Sequence, residues 1–370
     1  MPVKLFVDGE VFEHDGNLGI WRYYYEILRR LSSITSITLW LRSKPTRPLP
    51  AGVTIVQDAG RLYFPRYDVL SRIRRSISRV QLPKACRRAD IFQTTFLSTN
   101  PCPSIKEVFT VYDFIAERYF SISGSWAEDY ARAKQERIRA ATRILCISEA
   151  TAADLRFFYP EAASRTRVIP LGSEHLATAV QSSNQQPPSQ EQRYVLFVGQ
   201  RFHHKNFVTL LEAMNCPRWP VGVVAHVVGL PFTFAEQLLI DASRLKDRVR
   251  HLGRLSDVEL RQQYQSAIAF IYPSLYEGFG LPVLEAQANG APALLSDIPV
   301  FHEVAGADGA VFFDPRLPDQ LADAVAAIMD IGLRKRLIEA GHANVNRFSW
   351  DRCAKQTLAV YEEVAALARS

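Results

Sequence analysis

Two carboxylates, Glu277 and Glu285, flank a short run in which Gly278, Phe279 and Gly280 are followed by Leu281 and Pro282. Glycine lets a backbone turn tightly or approach a ligand closely, and Pro282 suits the first turn of a helix. Glu277 is therefore expected on a loop and Glu285 in the first half of a helix. Ionised carboxylates accept hydrogen bonds from sugar hydroxyls. The free N–H groups of Gly278, Phe279, Gly280 and the helix start can face a phosphate. A site that offers both groups suits a nucleotide sugar. Taken singly, Glu285 reads more readily as a favourable charge near a helix N-terminus, and EGFG as an ordinary connection.

The elements that must position these groups follow from the apolar pattern. Residues 267–272 form an apolar run of the length of a buried strand, 273–280 a loop, and a helix follows that Asn289-Gly290 can stop. Residues 291–295 are apolar again, so the loop lies at the carboxyl end of a parallel strand, where open α/β sheets bind ligands. The same unit occurs earlier: strand 194–198, a loop from Gly199 to His204, and a helix over 206–214 with Lys205 at its entrance. An ammonium there can join N–H groups on a diphosphate. Strands are also expected at 223–228 and 249–253, with Ser256 capping the next helix.

The first half carries apolar segments at 4–8, 37–41, 53–56, 91–95, 108–112 and 144–147, alternating with helical or irregular stretches. This favours a mainly parallel sheet covered by helices. A polar loop over 14–19 leads into a helix over about 20–31. Asp113 stands at a strand's carboxyl tip, and Ser148 reads first as a helix N-cap. Residues 177–192, including SSNQQPPSQEQ, read as a linker or exposed loop. Residues 317–331 are amphipathic, and the tail from 350 to 370 reads as helical.

A chain of 370 residues with 48% hydrophobic content can build two cores. Five scattered cysteines without a C-x-x-C pair indicate neither a zinc site nor a disulfide framework, and fit a reducing cytoplasm. No D-x-D occurs, so a metal-held diphosphate is not expected, and the adjacent His203 and His204 lack a nearby carboxylate. No leader or membrane span is read from the sequence. The net charge of +6 fits an anionic substrate or surface. Nucleic acid is not expected as a partner, because zinc-finger spacing and RNA-binding aromatic signatures are missing. Arg72, Arg74, Arg75 and Arg79 lie in a basic stretch with apolar residues at helical spacing. It reads either as an anionic membrane contact or as a solvated face docked by its apolar stripe.

The string YPS-L-YEGFGLP through Glu285 resembles the donor-site signature of the retaining glycosyltransferases of family 4. Further segments are similar to that family: Phe197-Val198-Gly199 with Lys205-Asn206, the G-I-W-R-Y start at Gly19, Ile147-Ser148-Glu149, and Val168-Ile169-Pro170-Leu171-Gly172. The resemblance implies α/β architecture of the GT-B type: two Rossmann-like domains facing a central cleft. Residues 1–175 would be the acceptor domain, 176–192 a linker, 193–349 the nucleotide-sugar donor domain, and 350–370 a helix crossing back to the first domain.

The implied reaction moves a hexose from a nucleoside diphosphate to a hydroxyl of a glycan or lipid-linked oligosaccharide, with retention and without metal or other cofactor. It would take place in the cytoplasm, at the inner face of the membrane if the basic stretch binds there. GDP-mannose is the donor favoured by similarity to bacterial polysaccharide mannosyltransferases. Lys205, Arg201 and the EGFG amides would meet charge on the leaving diphosphate, Glu277 would orient the sugar, and Glu285 would hold the ribose. Gly19, Gly199, Gly278, Phe279, Gly280, Leu281 and Ser148 would line the donor site.

The first domain departs from the family at two positions. Trp21 replaces a glycine and reads either as narrowing the acceptor entrance or as a packed aromatic. Tyr112 replaces a histidine near the reacting sugar, leaving Asp113 as the nearer polar group. Tyr112 also keeps open a non-catalytic relative that binds a nucleotide sugar or a partner enzyme.

Overall fold

Short apolar runs separated by helices resolve into two all-parallel sheets, each in its own compact unit, in the computed structural model. It describes residues 2–14, 18–57, 86–119, 125–173 and 193–369. The first unit comprises Met1–Gly172 and Trp350–Ser370, and the second Ser173–Ser349. The chain thus passes between units at 172–173. The expected linker, like the basic stretch with Arg72, Arg74, Arg75 and Arg79, lies outside the described residues.

In the first unit β1 (Lys4–Asp8), β2 (Ser36–Leu41), β3 (Thr54–Gln57), β4 (Ile91–Thr94), β5 (Lys106–Val111), β6 (Arg143–Cys146) and β7 (Thr166–Val168) take the order β3-β2-β1-β4-β5-β6-β7. In the second, β8 (Tyr194–Val198), β9 (Val224–Val228), β10 (Val249–Gly253), β11 (Ala269–Tyr272), β12 (Ala293–Ser296) and β13 (Ala310–Phe313) take the order β10-β9-β8-β11-β12-β13. Every residue of β8, β11 and β12 is buried. This explains their unbroken apolar sequences, since a parallel strand covered by helices on both faces has no solvent side.

Each sheet changes direction at its first strand. β1 lies between β2 and β4, and β8 lies between β9 and β11. The chain leaves such a pair of strands toward opposite faces, so their carboxyl ends open a crevice. In the second unit that crevice is bordered by the loops after β8 and β11, which carry Lys205 and Glu277. Phe197, Leu210, Ile271, Leu294, Leu321 and Val325 belong to the core beneath them. Full burial of such side chains contributes about 1.5–3 kcal/mol each, which anchors the strand ends.

The C-terminal helix Trp350–Arg369 is part of the first unit. Trp350 is fully buried, and a Cβ placed on Gly172 would meet its backbone nitrogen at 2.2 Å, so only glycine permits this approach. Tyr361 donates to Gln93 Oε1 on β4 at 2.9 Å, and Arg143 on β6 pairs with Glu363. The stretch read as one amphipathic segment over 317–331 is divided. Helix Pro318–Ala327 ends before Asp330, whose carboxylate accepts from Leu333 N and caps the next helix, Ile331–Val345.

Candidate functional site

Beyond β8 the backbone leaves ordinary L-residue conformations twice within a few residues. Gly199 has φ +130, with no heavy atom within 4 Å of its would-be Cβ, and Asn206 has φ 53. Asn206 is held there by a 2.7 Å bond from its side-chain amide to Pro315 O. The turn His203–Lys205 and helix Phe207–Met214 follow. Beyond β11, Gly280 has φ +102 and leads into helix Leu281–Ala288. Leu275 N donates to His204 O at 2.7 Å and fastens the two loops together.

Neither of these helix starts carries a side-chain cap. Thr233–Glu236 and Ser256–Glu259, by contrast, form complete capping boxes on helices Phe234–Ala242 and Asp257–Ser266. Helix N-termini without a side-chain cap, at the edge of the crevice, suit a bound anion.

Lys205 and Glu277 meet in that crevice. Lys205 Nζ donates to Glu277 Oε1 at 2.6 Å and to the Tyr272 hydroxyl at 2.7 Å, and Ser274 Oγ donates to the same Oε1 at 2.7 Å. Glu277 is 8% exposed. Burial alone raises its carboxyl pKa. The charges of Lys205 and His204, with the Lys205 and Ser274 hydrogen bonds, outweigh burial and hold it below the usual carboxylate range. Glu277 is thus an anion and an acceptor at neutral pH. With Lys205 and Ser274 converging on Oε1, acceptor capacity remains at Oε2 for a ligand hydroxyl. Lys205, with three N–H donors and two committed, retains one for an anionic oxygen.

Glu285 lies on helix Leu281–Ala288, where Tyr264, fully buried, donates to its Oε2 at 3.1 Å. Phe279 is buried edge-on against Phe348 at 5.8 Å, and Gly278 and Gly280 are buried on either side of it. Leu281, the first helical residue, is half-buried.

Arg201 does not join Lys205, contrary to expectation. Its Nε donates to Glu236 at 2.7 Å and its Nη2 to Leu230 O and Pro231 O at 2.8 Å, while Phe207 and Phe232 flank the guanidinium. It fastens the loop after β9 to the loop after β8. The side chain is 3% exposed.

The other predicted residues belong to the first unit. Tyr112 donates to Thr95 O at 3.2 Å. Burial, then its neighbours Tyr24 and Tyr23, push the phenol well above 10, so it serves neither as base nor as cation. The Asp113 carboxylate accepts from Ile115 N at 3.1 Å, and its backbone carbonyl accepts from the buried Lys134 at 2.8 Å. Ser148 is buried and caps helix Glu149–Phe158 through Thr151 N at 2.9 Å. Gly19 is exposed in the first turn of helix Leu18–Leu31. Trp21 is a packed aromatic: its indole donates to Pro48 O at 3.3 Å, and Arg22 and Arg47 lie over the ring.

Residues 180–343, which contain Lys205, Tyr272, Glu277 and Glu285, match the sequence model of glycosyl transferases group 1. Through this unit the chain is similar to the group 1 glycosyltransferases. Among curated glycosyltransferases it is 33% identical over 178 residues to O-antigen chain mannosyltransferase B of Escherichia coli, covering 46% of each chain. It is 31% identical over 241 residues to the MMP alpha-(1->4)-mannosyltransferase of Mycolicibacterium hassiacum, covering 63% of this chain and 57% of that one. The chain thus spans about half the length of these curated relatives. The fold is that of GT-B glycosyltransferases. Sucrose-phosphate synthase of Thermosynechococcus elongatus superposes with a TM-score of 0.76 at 19% identity, covering 99% of this chain and 100% of that one. WaaG, a glycosyltransferase involved in lipopolysaccharide biosynthesis, superposes with 0.73 at 17% identity, covering 96% and 99%.

Sequence reasoning missed three polar residues. Tyr272 and Ser274 lay within the quoted YPS run, but a strand-end tyrosine reads as core. Lys134 sits in a helix rich in charge, Ser125–Ala140, where nothing distinguishes a buried lysine from a solvated one.

Proposed function

We propose that this protein transfers a hexose from a nucleoside diphosphate sugar to an acceptor hydroxyl, with retention at the anomeric carbon and without a metal ion. The observation that carries the reading is the Lys205–Glu277 pair at the β8/β11 crevice, a cation and an anion 2.6 Å apart. The cation suits the diphosphate and the anion a sugar hydroxyl. When the diphosphate departs, charge grows on its bridging oxygen. Lys205 and the uncapped amides of helices Phe207–Met214 and Leu281–Ala288 supply preorganised donors for it. Glu285 holds the ribose hydroxyls, and Glu277, ionised, orients the transferred sugar rather than donating a proton.

Mannose from GDP-mannose is the donor we favour. Its support is the group of relatives named as mannosyltransferases, among them the O-antigen chain enzyme of Escherichia coli. On the same ground the acceptor is a glycan or lipid-linked oligosaccharide of a surface polysaccharide, met in the cytoplasm or at its membrane face. No helix among the described residues is long and apolar enough to cross a membrane. The test is incubation with GDP-mannose, GDP-glucose, UDP-glucose and UDP-galactose in chelator, following nucleoside diphosphate release and the anomer of the product by NMR. Release from one donor with an α-linked product supports the reading. No release from any donor, with or without acceptor, favours the non-catalytic relative.

A further inference from the structure

Tyr272 ends β11 at the floor of the crevice and is 2% exposed. Its ring is fixed by Phe301, stacked at 5.4 Å and 27°, and by Phe270 at 5.4 Å. Its hydroxyl oxygen accepts from Lys205 Nζ at 2.7 Å, and the ammonium also lies 4.9 Å from the ring centroid. Burial, then the nearby Glu277 carboxylate, keeps the hydroxyl protonated. The oxygen therefore accepts from the same ammonium that pairs with Glu277.

A lysine side chain is a flexible four-carbon stem that loses rotamer freedom when it is fixed. Glu277 alone would draw the ammonium toward itself. A second acceptor on a rigid strand end defines a point between the two, and leaves the third N–H directed out of the pair. We propose that Tyr272 is a positioning residue for this transferase. Its hydroxyl holds Lys205 and Glu277 at a fixed separation, so that the ammonium meets the leaving diphosphate while the carboxylate still meets the sugar. This rests on the reading of Lys205 as the group that stabilises the departing diphosphate.

The experiment is a double-mutant cycle of Tyr272→Phe and Lys205→Ala, read as kcat and donor KM with GDP-mannose and as thermal midpoint. Phenylalanine keeps both ring contacts and removes only the oxygen. In the wild-type background Y272F lowers kcat about tenfold and changes donor KM less than about threefold; in K205A it changes kcat less than about twofold. A residue that only supports the fold would lower kcat by the same factor in both backgrounds, and that result overturns the proposal. So does a Y272F enzyme with wild-type kcat while K205A is impaired. If K205A itself is unimpaired, the reading of the site fails instead, and the positioning role falls with it. Should Y272F not fold, 3-fluorotyrosine at position 272 weakens the acceptor without removing an atom. A kcat loss that disappears in K205A then supports the role, and no loss overturns it.

Discussion

Lys205 and Glu277, 72 positions apart in the chain, form a 2.6 Å ion pair because the strands that precede them are parallel neighbours. β8 and β11 are paired, and their following loops leave at the carboxyl edge. The pair is thus a product of sheet order rather than of local sequence. Removing its cation should slow chemistry more than binding. Lys205→Ala is expected to lower kcat by about a hundredfold with donor KM within a few-fold, as for the loss of one preorganised transition-state donor. Steady-state kinetics with the preferred donor checks this, and a KM effect alone would reassign Lys205 to ground-state binding.

The depressed pKa of Glu277 makes a prediction about stability. Its folded value lies below the reference of 4.5, so around that pH the native state binds fewer protons than the unfolded chain. The contribution is complete above the unfolded pKa and is lost as pH falls through the folded one. Glu277→Gln should therefore cost about 1–3 kcal/mol near neutrality, and its difference from wild type should shrink below about pH 4. Urea unfolding at several pH values measures it. A difference that grows on acidification would contradict the assignment.

The sequence was most legible where one signal had one cause. Buried parallel strands such as β8 and β11 leave unbroken apolar runs, so their positions were readable to within a residue or two. Glycine marked the turns correctly because φ +130 at Gly199 and φ +102 at Gly280 suit few other residues. Partner choice was not legible. Arg201 and Lys205 are both basic and four positions apart, yet one is directed at Glu236 and the other at Glu277, a difference set by the loop after β9. Strand β13 escaped notice because its few residues, Ala310–Phe313, are paired only with β12 at the sheet edge.

Gly280 should resist substitution for two reasons that add. Its φ is in the left-handed half of the map, and an added Cβ would lie 3.0 Å from Phe301 Cε1. Gly280→Ala is expected to cost about 1–3 kcal/mol and to weaken nucleotide binding. Gly199→Ala, strained in backbone alone, should cost less. Thermal unfolding of both variants tests the order, and an equal or reversed order would contradict it.

Tyr112 stands where the family resemblance implies a histidine, but its hydroxyl donates to Thr95 O. Tyr112→Phe should therefore lose about 1 kcal/mol of stability and keep kcat within about threefold. Turnover lost without loss of stability would show that the phenol acts on substrate.

The proposed transfer requires a nucleoside diphosphate site in the second unit. Calorimetric titration of the protein with GDP, UDP, ADP and TDP in chelator, repeated with Glu285→Ala, measures it directly. One of the four is expected to bind selectively, and E285A to weaken it at least about tenfold, as for the loss of a charged hydrogen bond to ribose. Absence of binding by all four, or equal binding by E285A, would contradict it.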